Sequence, residues 1–210
     1  MTTAAPATSR LVCGGCGVEV PPESPFTWAS PKARPEDDTV HVLARVIDPL
    51  AMTAIDPGER NPFVRYRTRF HSYHVARSGG WIDERYVALV RELDDAVAEV
   101  DGSGFSVTPL VTAASLDERL GFRAGGGIWI KDETGNVSGS HKARHLMGVM
   151  LDLRVAEDLG IADPEAPLAI ASCGNAALAA AVVARAARRR LLVFVPTTAE
   201  EEVVERLREL

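Results

Sequence analysis

The sequence predicts an α/β fold in which helices cover both faces of a parallel sheet, and the C-terminal half of the chain carries the supporting observations. Three short apolar runs have the length and composition of buried strands. They are residues 128–130, 168–170 and 191–195. Each run is followed by a segment with helical spacing, and this alternation favours parallel strands joined by right-handed crossovers.

The helices are predicted from apolar spacing and from stop signals. Residues 84–100 place six apolar side chains on one face at helical spacing, which is typical of an amphipathic helix. A second helix is predicted to begin near Lys142 and to end at Gly160, because glycine commonly terminates helices. The alanine-rich segment 175–190 is predicted to be a third helix.

The N-terminal part, residues 1–60, is predicted to be an irregular extension. Proline, glycine and aspartate clusters interrupt it, and residues 40–46 form its strand-like run. The sheet is therefore expected to begin after this extension, and the fold is expected to be an incomplete version of its class.

The composition bounds the possible partners and the location of the protein. The chain has 210 residues, 46% of them hydrophobic, and a formal net charge of -6. This charge argues against a nucleic-acid partner, and no apolar run is long enough to cross a membrane. Three cysteines do not form a disulfide framework, so we expect a reduced, cytoplasmic protein.

The segment Ser138-Gly-Ser-His-Lys142 follows one predicted strand and begins a helix. A lysine amine attacks an aldehyde only in its neutral form, and burial or a helix N-terminus favours that form. The small residues before Lys142 allow a planar ligand to approach the backbone. The alternative is a lysine exposed to solvent, as most lysines are.

The segment Ser172-Cys-Gly-Asn175 follows the next predicted strand and also begins a helix. Unpaired backbone N–H groups and the helix dipole make such a position a potential anion site. The alternative is that Ser172 or Asn175 only caps the helix. Because ligands bind at the carboxyl ends of parallel strands, both segments are expected to face one crevice. A reactive lysine beside a carboxylate site suits amino-acid chemistry on an aldehyde cofactor.

Both segments resemble those of a known enzyme superfamily. Residues 131–142 resemble the cofactor-lysine segment of the fold-type II pyridoxal-phosphate enzymes, the tryptophan synthase β superfamily. Residues 171–178 resemble the asparagine loop of these enzymes, and residues 108–110 are similar to their Thr-Pro-Leu motif. The resemblance implies a tryptophan synthase β-like parallel sheet with helices on both faces.

The N-terminal residues are most similar to the threonine synthase branch of that superfamily. The similarity comes from Cys13-x-x-Cys16-Gly and from residues 61–67. We therefore expect residues 1–60 to be an extension and residues 61–210 to be the N-terminal part of a pyridoxal-phosphate-dependent catalytic domain.

The resemblance also implies roles for individual residues. Lys142 is expected to bind pyridoxal phosphate covalently and to move the α-proton of an amino-acid substrate. Asn175 is expected to hydrogen-bond the phenolic oxygen of the cofactor, and His141 to assist phosphate binding. The substrate carboxylate is expected to bind Ser172, Cys173 and Gly174.

Two departures limit the expected activity. The glycine-rich phosphate cup of the superfamily is not found in the sequence, so we interpret the chain as truncated and expect weak cofactor binding by the 210 residues. Cys173 also stands where relatives commonly have serine or threonine. The expected reaction is a β- or γ-elimination or replacement, as in threonine synthases, and relatives suggest a homodimer. The alternatives are an amino-acid ammonia-lyase and a non-catalytic remnant.

Cys13 and Cys16 also have the spacing of half a zinc knuckle. The favoured interpretation is a knuckle remnant with free thiols and no bound metal. The alternative is a zinc site completed by His71 and His74, which lie far along the chain.

Overall fold

The computed structural model describes residues 9–21, 24, 30–47, 55–122 and 127–210. The chain divides into two compact units. The first unit contains Met1–Leu93 and Gly148–Ala166, and the second contains Asp94–Met147 and Pro167–Leu210. The described residues form a mixed α/β structure with helices and small sheets.

The first unit begins with a three-stranded antiparallel sheet. Its strands are β1 (Ser9–Cys13), β2 (Glu19–Val20) and β3 (Leu43–Ile47), in the order β2-β1-β3. The prediction of an irregular extension is therefore wrong for this part of the chain. The predicted strand-like run 40–46 overlaps β3, whereas β1 and β2 were not predicted. Both are short, and β1 pairs with β3 across about thirty residues of sequence, which no local pattern reveals.

Three helices follow in the first unit. They are α1 (Pro62–Arg65), α2 (His71–Ser78) and α3 (Asp83–Asp101), the last of which continues into the second unit. Asn61 caps α1, because its Oδ1 accepts hydrogen bonds from the backbone of Phe63 at 2.8 Å and of Val64 at 3.3 Å. The prediction of a helix over 84–100 is confirmed to within one residue at each end.

The core of the first unit is built on the apolar face of α3. Tyr86 and Val90 are completely buried, and Leu93 is nearly so. The Tyr86 hydroxyl lies 2.8 Å from Ser72 Oγ, so the buried phenol has a hydrogen-bond partner on α2. Amphipathic spacing in the sequence thus identified the face that packs.

The second unit contains an antiparallel hairpin-like pair, β4 (Leu110–Thr112) and β5 (Trp129–Lys131), with α4 (Ala114–Leu120) between them. The prediction that residues 128–130 form a strand is confirmed. The prediction that this strand belongs to a parallel sheet is wrong in the described structure, since β5 pairs antiparallel with β4. A three-residue apolar run predicts a strand but carries no information about the direction of its partner.

The remaining elements alternate as the sequence predicts. They are α5 (Lys142–Asp158), β6 (Leu168–Ala171), α6 (Asn175–Ala186), β7 (Leu191–Phe194) and α7 (Glu201–Glu209). Strands β6 and β7 pair in parallel, with Leu168 opposite Leu191. Helix α6 ends at Ala186, four residues before the predicted end. Arg188, two residues later, has a left-handed φ of 55°, which is not a helical conformation. Gly160 ends α5 with a φ of 70°, which confirms the predicted stop.

Within the described residues, none of the helices has both the length and the apolar character that a membrane span requires.

Candidate active site

A sharply bent turn leads the chain to Lys142. Ser138 and Gly139 both adopt left-handed backbone conformations, with φ of 53° and 68°. A left-handed serine costs about 1–2 kcal/mol relative to its ordinary conformation. Hydrogen bonds hold the bend, since the Ser138 amide donates to Asp101 Oδ2 at 2.9 Å and the Gly139 amide donates to the Asn136 carbonyl at 2.8 Å. The turn is therefore specified by its surroundings.

The next residues connect this turn to the first residue of α5. Asn136 is buried, and its Nδ2 donates to the Ser140 carbonyl at 2.6 Å. Ser140 Oγ accepts a hydrogen bond from the Lys142 amide at 3.3 Å. Lys142 itself is exposed, and among the described residues its Nζ has no hydrogen-bond or ion-pair partner. The amine is therefore available to a ligand.

A charged network fixes this segment to β4 and β5. Glu133 Oε1 accepts a hydrogen bond from Thr108 Oγ1 at 2.5 Å, and Oε2 accepts one from Arg144 Nε at 2.7 Å. Burial raises the pKa of Glu133, but the hydrogen bonds from Arg144 and Thr108 outweigh burial and lower the pKa overall. Glu133 lies inside the quoted segment 131–142 and Arg144 lies two residues after it, but neither residue was predicted from the sequence to belong to the site.

A second lysine in this region is already engaged. Lys131 Nζ donates to the Thr108 carbonyl at 2.5 Å and lies 3.8 Å from Glu133 Oε1. Lys131 therefore supports the network, whereas the Lys142 amine does not take part in it.

The second predicted segment forms the N-terminus of α6. The Ser172 amide donates to the Phe194 carbonyl at 3.1 Å, which anchors the loop at the end of β6. Gly174 is the N-cap, and no side chain caps the helix. The interpretation of Ser172 or Asn175 as a simple cap is therefore wrong, and among the described residues neither side chain has a hydrogen-bond partner. Both polar groups remain available to a ligand.

Helix α6 connects the two segments, because it packs against the turn Val137–Gly139. Val137 is completely buried. Among the residues that the structure describes, a Cβ built at Gly139 or at Gly174 would meet no heavy atom within 4 Å. The structure thus leaves space beside the backbone of both segments.

Buried polar atoms near Lys142 also suit a polar ligand. Ser138 Oγ and Asn136 Oδ1 are buried and have no hydrogen-bond partner in the part of the chain that the structure describes. Such groups usually have a partner, and leaving one unpaired costs about 1–3 kcal/mol. A ligand with phosphate or hydroxyl groups would supply partners of the required chemistry.

His141 lies beside Lys142 and is exposed. Its carbonyl accepts a hydrogen bond from the Arg144 amide at 3.1 Å, and within the described ranges its ring has no hydrogen-bond partner that would fix its orientation. The predicted contact of His141 with a phosphate group stays a prediction.

Residues 103–210 match the family model described as pyridoxal-phosphate dependent enzyme. The match covers just over half of the chain and includes both segments. The chain belongs to this family. A comparison with curated proteins finds no match. Pyridoxal phosphate is therefore the cofactor of this family member, and the cofactor predicted from the sequence is confirmed. The unengaged amine of Lys142, the open glycines and the unpaired buried hydroxyl of Ser138 fit this group.

The pyridoxal-phosphate family match does not extend to Cys13 and Cys16. These cysteines lie near His41, and the ligand atoms of the three residues all fall within 4.8 Å of one another. The histidines considered from sequence lie elsewhere: His71 Nδ1 is 3.2 Å from Ser9 Oγ, and His74 Nε2 donates to the Thr68 carbonyl at 2.8 Å. The suggestion that His71 and His74 complete the cysteine pair is therefore wrong.

Hydrogen bonds set the electrostatics of this cysteine cluster. Burial raises the pKa of the Cys13 thiol, but hydrogen bonds from the Cys16 backbone and from His41 outweigh burial and lower the pKa to about 6. The hydrogen bonds to Asp37 and Cys13 raise the pKa of His41 to about 9. The lowered pKa means that the Cys13 sulfur is charged more readily than an ordinary thiol, whereas its burial shields the sulfur from solvent.

Proposed function

We propose that this chain carries the lysine segment and the substrate-carboxylate segment of a pyridoxal-phosphate-dependent lyase. The reaction class is elimination or replacement at the β- or γ-carbon of an amino acid, as in threonine synthases. The supporting observation is that the amine of Lys142 is exposed and unengaged, beside a turn that packs against the helix beginning at Asn175. The resemblance of residues 61–67 and of the N-terminal cysteine pair favours the threonine synthase branch.

Each residue has a distinct role in this proposal. Lys142 would hold the aldehyde carbon of the cofactor through Nζ. Once the substrate amine has taken the place of Nζ, the freed amine would move the proton at the substrate Cα. Asn175 donates a hydrogen bond from its amide to the phenolic oxygen of the cofactor. When bound, the pyridine ring of the cofactor supplies the electron sink, so the task of the protein is orientation.

The loop before α6 binds the substrate carboxylate in this proposal. Backbone N–H groups at the start of the helix attract an anion, and the helix dipole adds to the attraction. The hydroxyl of Ser172 donates directionally, while the thiol of Cys173 is a weaker donor than the serine or threonine common in relatives. Gly174 allows the carboxylate to approach the backbone closely. His141 contributes to phosphate binding.

The proposal extends to architecture and partners. Strands β6 and β7 are the described part of a parallel sheet that helices cover on both faces, as in the tryptophan synthase β superfamily. The substrate is a small amino acid, and the protein acts as a cytoplasmic homodimer without nucleic-acid or membrane partners.

Covalent trapping tests the role of Lys142. The chain is incubated with excess pyridoxal phosphate and reduced with sodium borohydride, which makes an amine-linked adduct permanent and therefore captures weak binding. The lysines of the sequence are Lys32, Lys131 and Lys142, so peptide mass spectrometry can measure the occupancy of each. Lys142 should be modified far more heavily than the exposed Lys32.

Matched variants give the controls. Lys142→Ala should remove the specific adduct, and Lys32→Ala should leave it unchanged. Equal modification of Lys32 and Lys142 would show background chemistry and would refute the proposal, in favour of the non-catalytic alternative.

A substrate screen separates the two enzyme alternatives. O-phosphohomoserine is tested for phosphate release, and serine, threonine and 2,3-diaminopropionate are tested for ammonia release. Phosphate release supports the threonine synthase-like reaction. Ammonia release without phosphate release would support the ammonia-lyase alternative instead.

A further inference from the structure

A tight turn brings Cys13 and Cys16 together. The Gly17 amide donates to the Cys13 carbonyl at 2.8 Å, and the Cys13 amide donates to the Val18 carbonyl at 2.9 Å. These two hydrogen bonds close the turn, so the sulfurs of Cys13 and Cys16 lie within 4.8 Å of each other.

The sheet of the first unit places His41 beside this turn. Strand β3 pairs with β1 so that Leu43 lies opposite Cys13, and the Gly14 amide extends the ladder by donating to the Val42 carbonyl at 2.8 Å. The neighbouring backbone approaches the turn so closely that a Cβ at Gly15 would collide with the Val40 carbonyl. His41 lies two residues before β3, and its Nδ1 is 3.4 Å from Cys13 Sγ.

A carboxylate fixes the orientation of the His41 ring. His41 Nε2 lies 2.7 Å from Asp37 Oδ2, so Nε2 carries the hydrogen that the carboxylate accepts. Nδ1 therefore faces the sulfurs. Histidine ligands in metal sites typically donate their other N–H to a carboxylate or carbonyl in this way. The side chain of His41 is only 7% exposed, which holds the ring in place.

The spacing of the ligand atoms suits a tetrahedral zinc ion. Zn–S bonds of about 2.3 Å and Zn–N bonds of about 2.0 Å at a tetrahedral angle place sulfur and nitrogen about 3.5 Å apart. The distance of 3.4 Å between Cys13 Sγ and His41 Nδ1 agrees with this value. All three ligand atoms, including Cys16 Sγ, lie within 4.8 Å of one another. Thiolate and imidazole ligands together favour zinc over calcium or magnesium.

We propose that Cys13, Cys16 and His41 bind one Zn²⁺ ion through two sulfurs and Nδ1, with Asp37 orienting the histidine. The fourth position is open to water or to a small exogenous ligand. A pocket bordered by Cys16 and His41 gives access to this position, and Lys32 and Arg34 also line it.

A cobalt titration of the purified full chain tests the site. The chain is stripped of metal with a chelator under reducing conditions and titrated with Co²⁺, and the absorbance of thiolate-to-cobalt charge transfer and of tetrahedral cobalt is recorded. One equivalent should saturate both signals, and Zn²⁺ should displace the cobalt stoichiometrically. No thiolate-to-cobalt absorbance in the wild-type chain would overturn the proposal.

Variants distinguish the ligand set. Cys16→Ser and His41→Gln should abolish the charge-transfer signal or weaken cobalt affinity at least 100-fold, and Asp37→Asn should weaken it about 10–100-fold. His71→Gln and a variant of the exposed His145 on α5, His145→Gln, should bind cobalt as the wild type does. Loss of binding in His71→Gln with retention in His41→Gln would refute the assignment. Far-UV circular dichroism establishes that each metal-free variant is folded. Because Cys16 is partly exposed, the Cys16→Ser variant is the one whose folding depends least on core packing.

Discussion

Replacing Asp152 by asparagine should stabilise the chain at pH 7.5 and should have little effect at pH 4. Burial raises the pKa of Asp152 from 3.8 to about 6, although the charge of Arg45 opposes the shift. A group whose folded-state pKa is raised contributes stability below its unfolded pKa, and the contribution is lost as the pH rises through about 6. The shift corresponds to about 3 kcal/mol at neutral pH. Asparagine has the shape of the protonated acid and avoids this penalty.

His71 produces the opposite dependence in the same unit. Burial, followed by the charges of Arg45 and His74, lowers the pKa of His71 from 6.5 to about 4. Arg45 Nε donates to Ser9 Oγ at 2.9 Å, so the Ser9 hydroxyl can donate to His71 Nδ1 in its neutral form. A depressed pKa contributes stability above the unfolded pKa, and this stability is lost as the pH falls from 6.5 through about 4. The loss is again about 3 kcal/mol.

The two effects nearly cancel in the wild type between pH 4 and pH 6.5. In Asp152→Asn only the effect of His71 remains. The free energy of unfolding of this variant should therefore decrease more steeply with falling pH than that of the wild type. His71→Gln should do the reverse, and the double variant should again show a shallow dependence. The assay is urea unfolding followed by far-UV circular dichroism at half-unit pH steps.

Asp158→Asn is the matched control, because Asp158 lies on the same helix but is exposed and pairs with Arg85 at 2.7 Å. Its free energy of unfolding should change by less than about 1 kcal/mol across the range. The reasoning is refuted if Asp152→Asn destabilises the chain at pH 7.5, or if its effect has the same size at pH 4 and pH 7.5.

Three further substitutions have expected directions. Glu133→Gln should weaken the charged hydrogen bond from Arg144, lower the free energy of unfolding by about 1.5–3 kcal/mol and reduce borohydride trapping at Lys142. Gly15→Ala should destabilise the chain by about 1–3 kcal/mol, because its Cβ would collide with the Val40 carbonyl. Gly160→Ala should destabilise it by about 1 kcal/mol, because the residue has a φ of 70°.

Each of these substitutions has a control in the same part of the chain, measured by the same urea unfolding. Glu118→Gln alters an exposed carboxylate and should have little effect. Gly14→Ala meets only an ordinary contact of 3.7 Å with the Val42 carbonyl and should be tolerated. Gly148→Ala lies inside α5 with open space around its Cβ, so it should stabilise the helix by about 0.5–1 kcal/mol. A destabilising Gly14→Ala, or a neutral Gly15→Ala, would contradict the description of the turn.

Local patterns in the sequence predict the long helices well. The apolar spacing over 84–100 and the glycine at position 160 depend only on neighbouring residues, and the structure places α3 and the end of α5 where these signals predict. The cofactor family was likewise predictable, because the lysine and asparagine segments are short and contiguous.

Features that depend on distant pairing were not predictable in this way. The antiparallel direction of β5 is decided by its pairing with β4, about twenty residues earlier, and a short apolar run is compatible with either direction. His41 lies near Cys13 only because β1 and β3 pair in one register. The separation of 28 residues between Cys13 and His41 in the sequence does not match the short ligand spacing of a zinc knuckle. The side chain of Glu133 accepts hydrogen bonds from Thr108 and Arg144. Such side-chain networks produce no periodic pattern in the sequence, so they could not be predicted from it.

The differing exposure of the three cysteines makes the chain open to selective chemical labelling. Cys13 is buried and Cys16 is partly covered, whereas Cys173 is exposed in the loop before α6. A bulky maleimide fluorophore should therefore attach first to Cys173. The emission of such a probe would change when a ligand binds at that loop, whether or not the ligand is turned over. The Cys173→Ser variant, which lacks the exposed thiol, measures the labelling of the other cysteines.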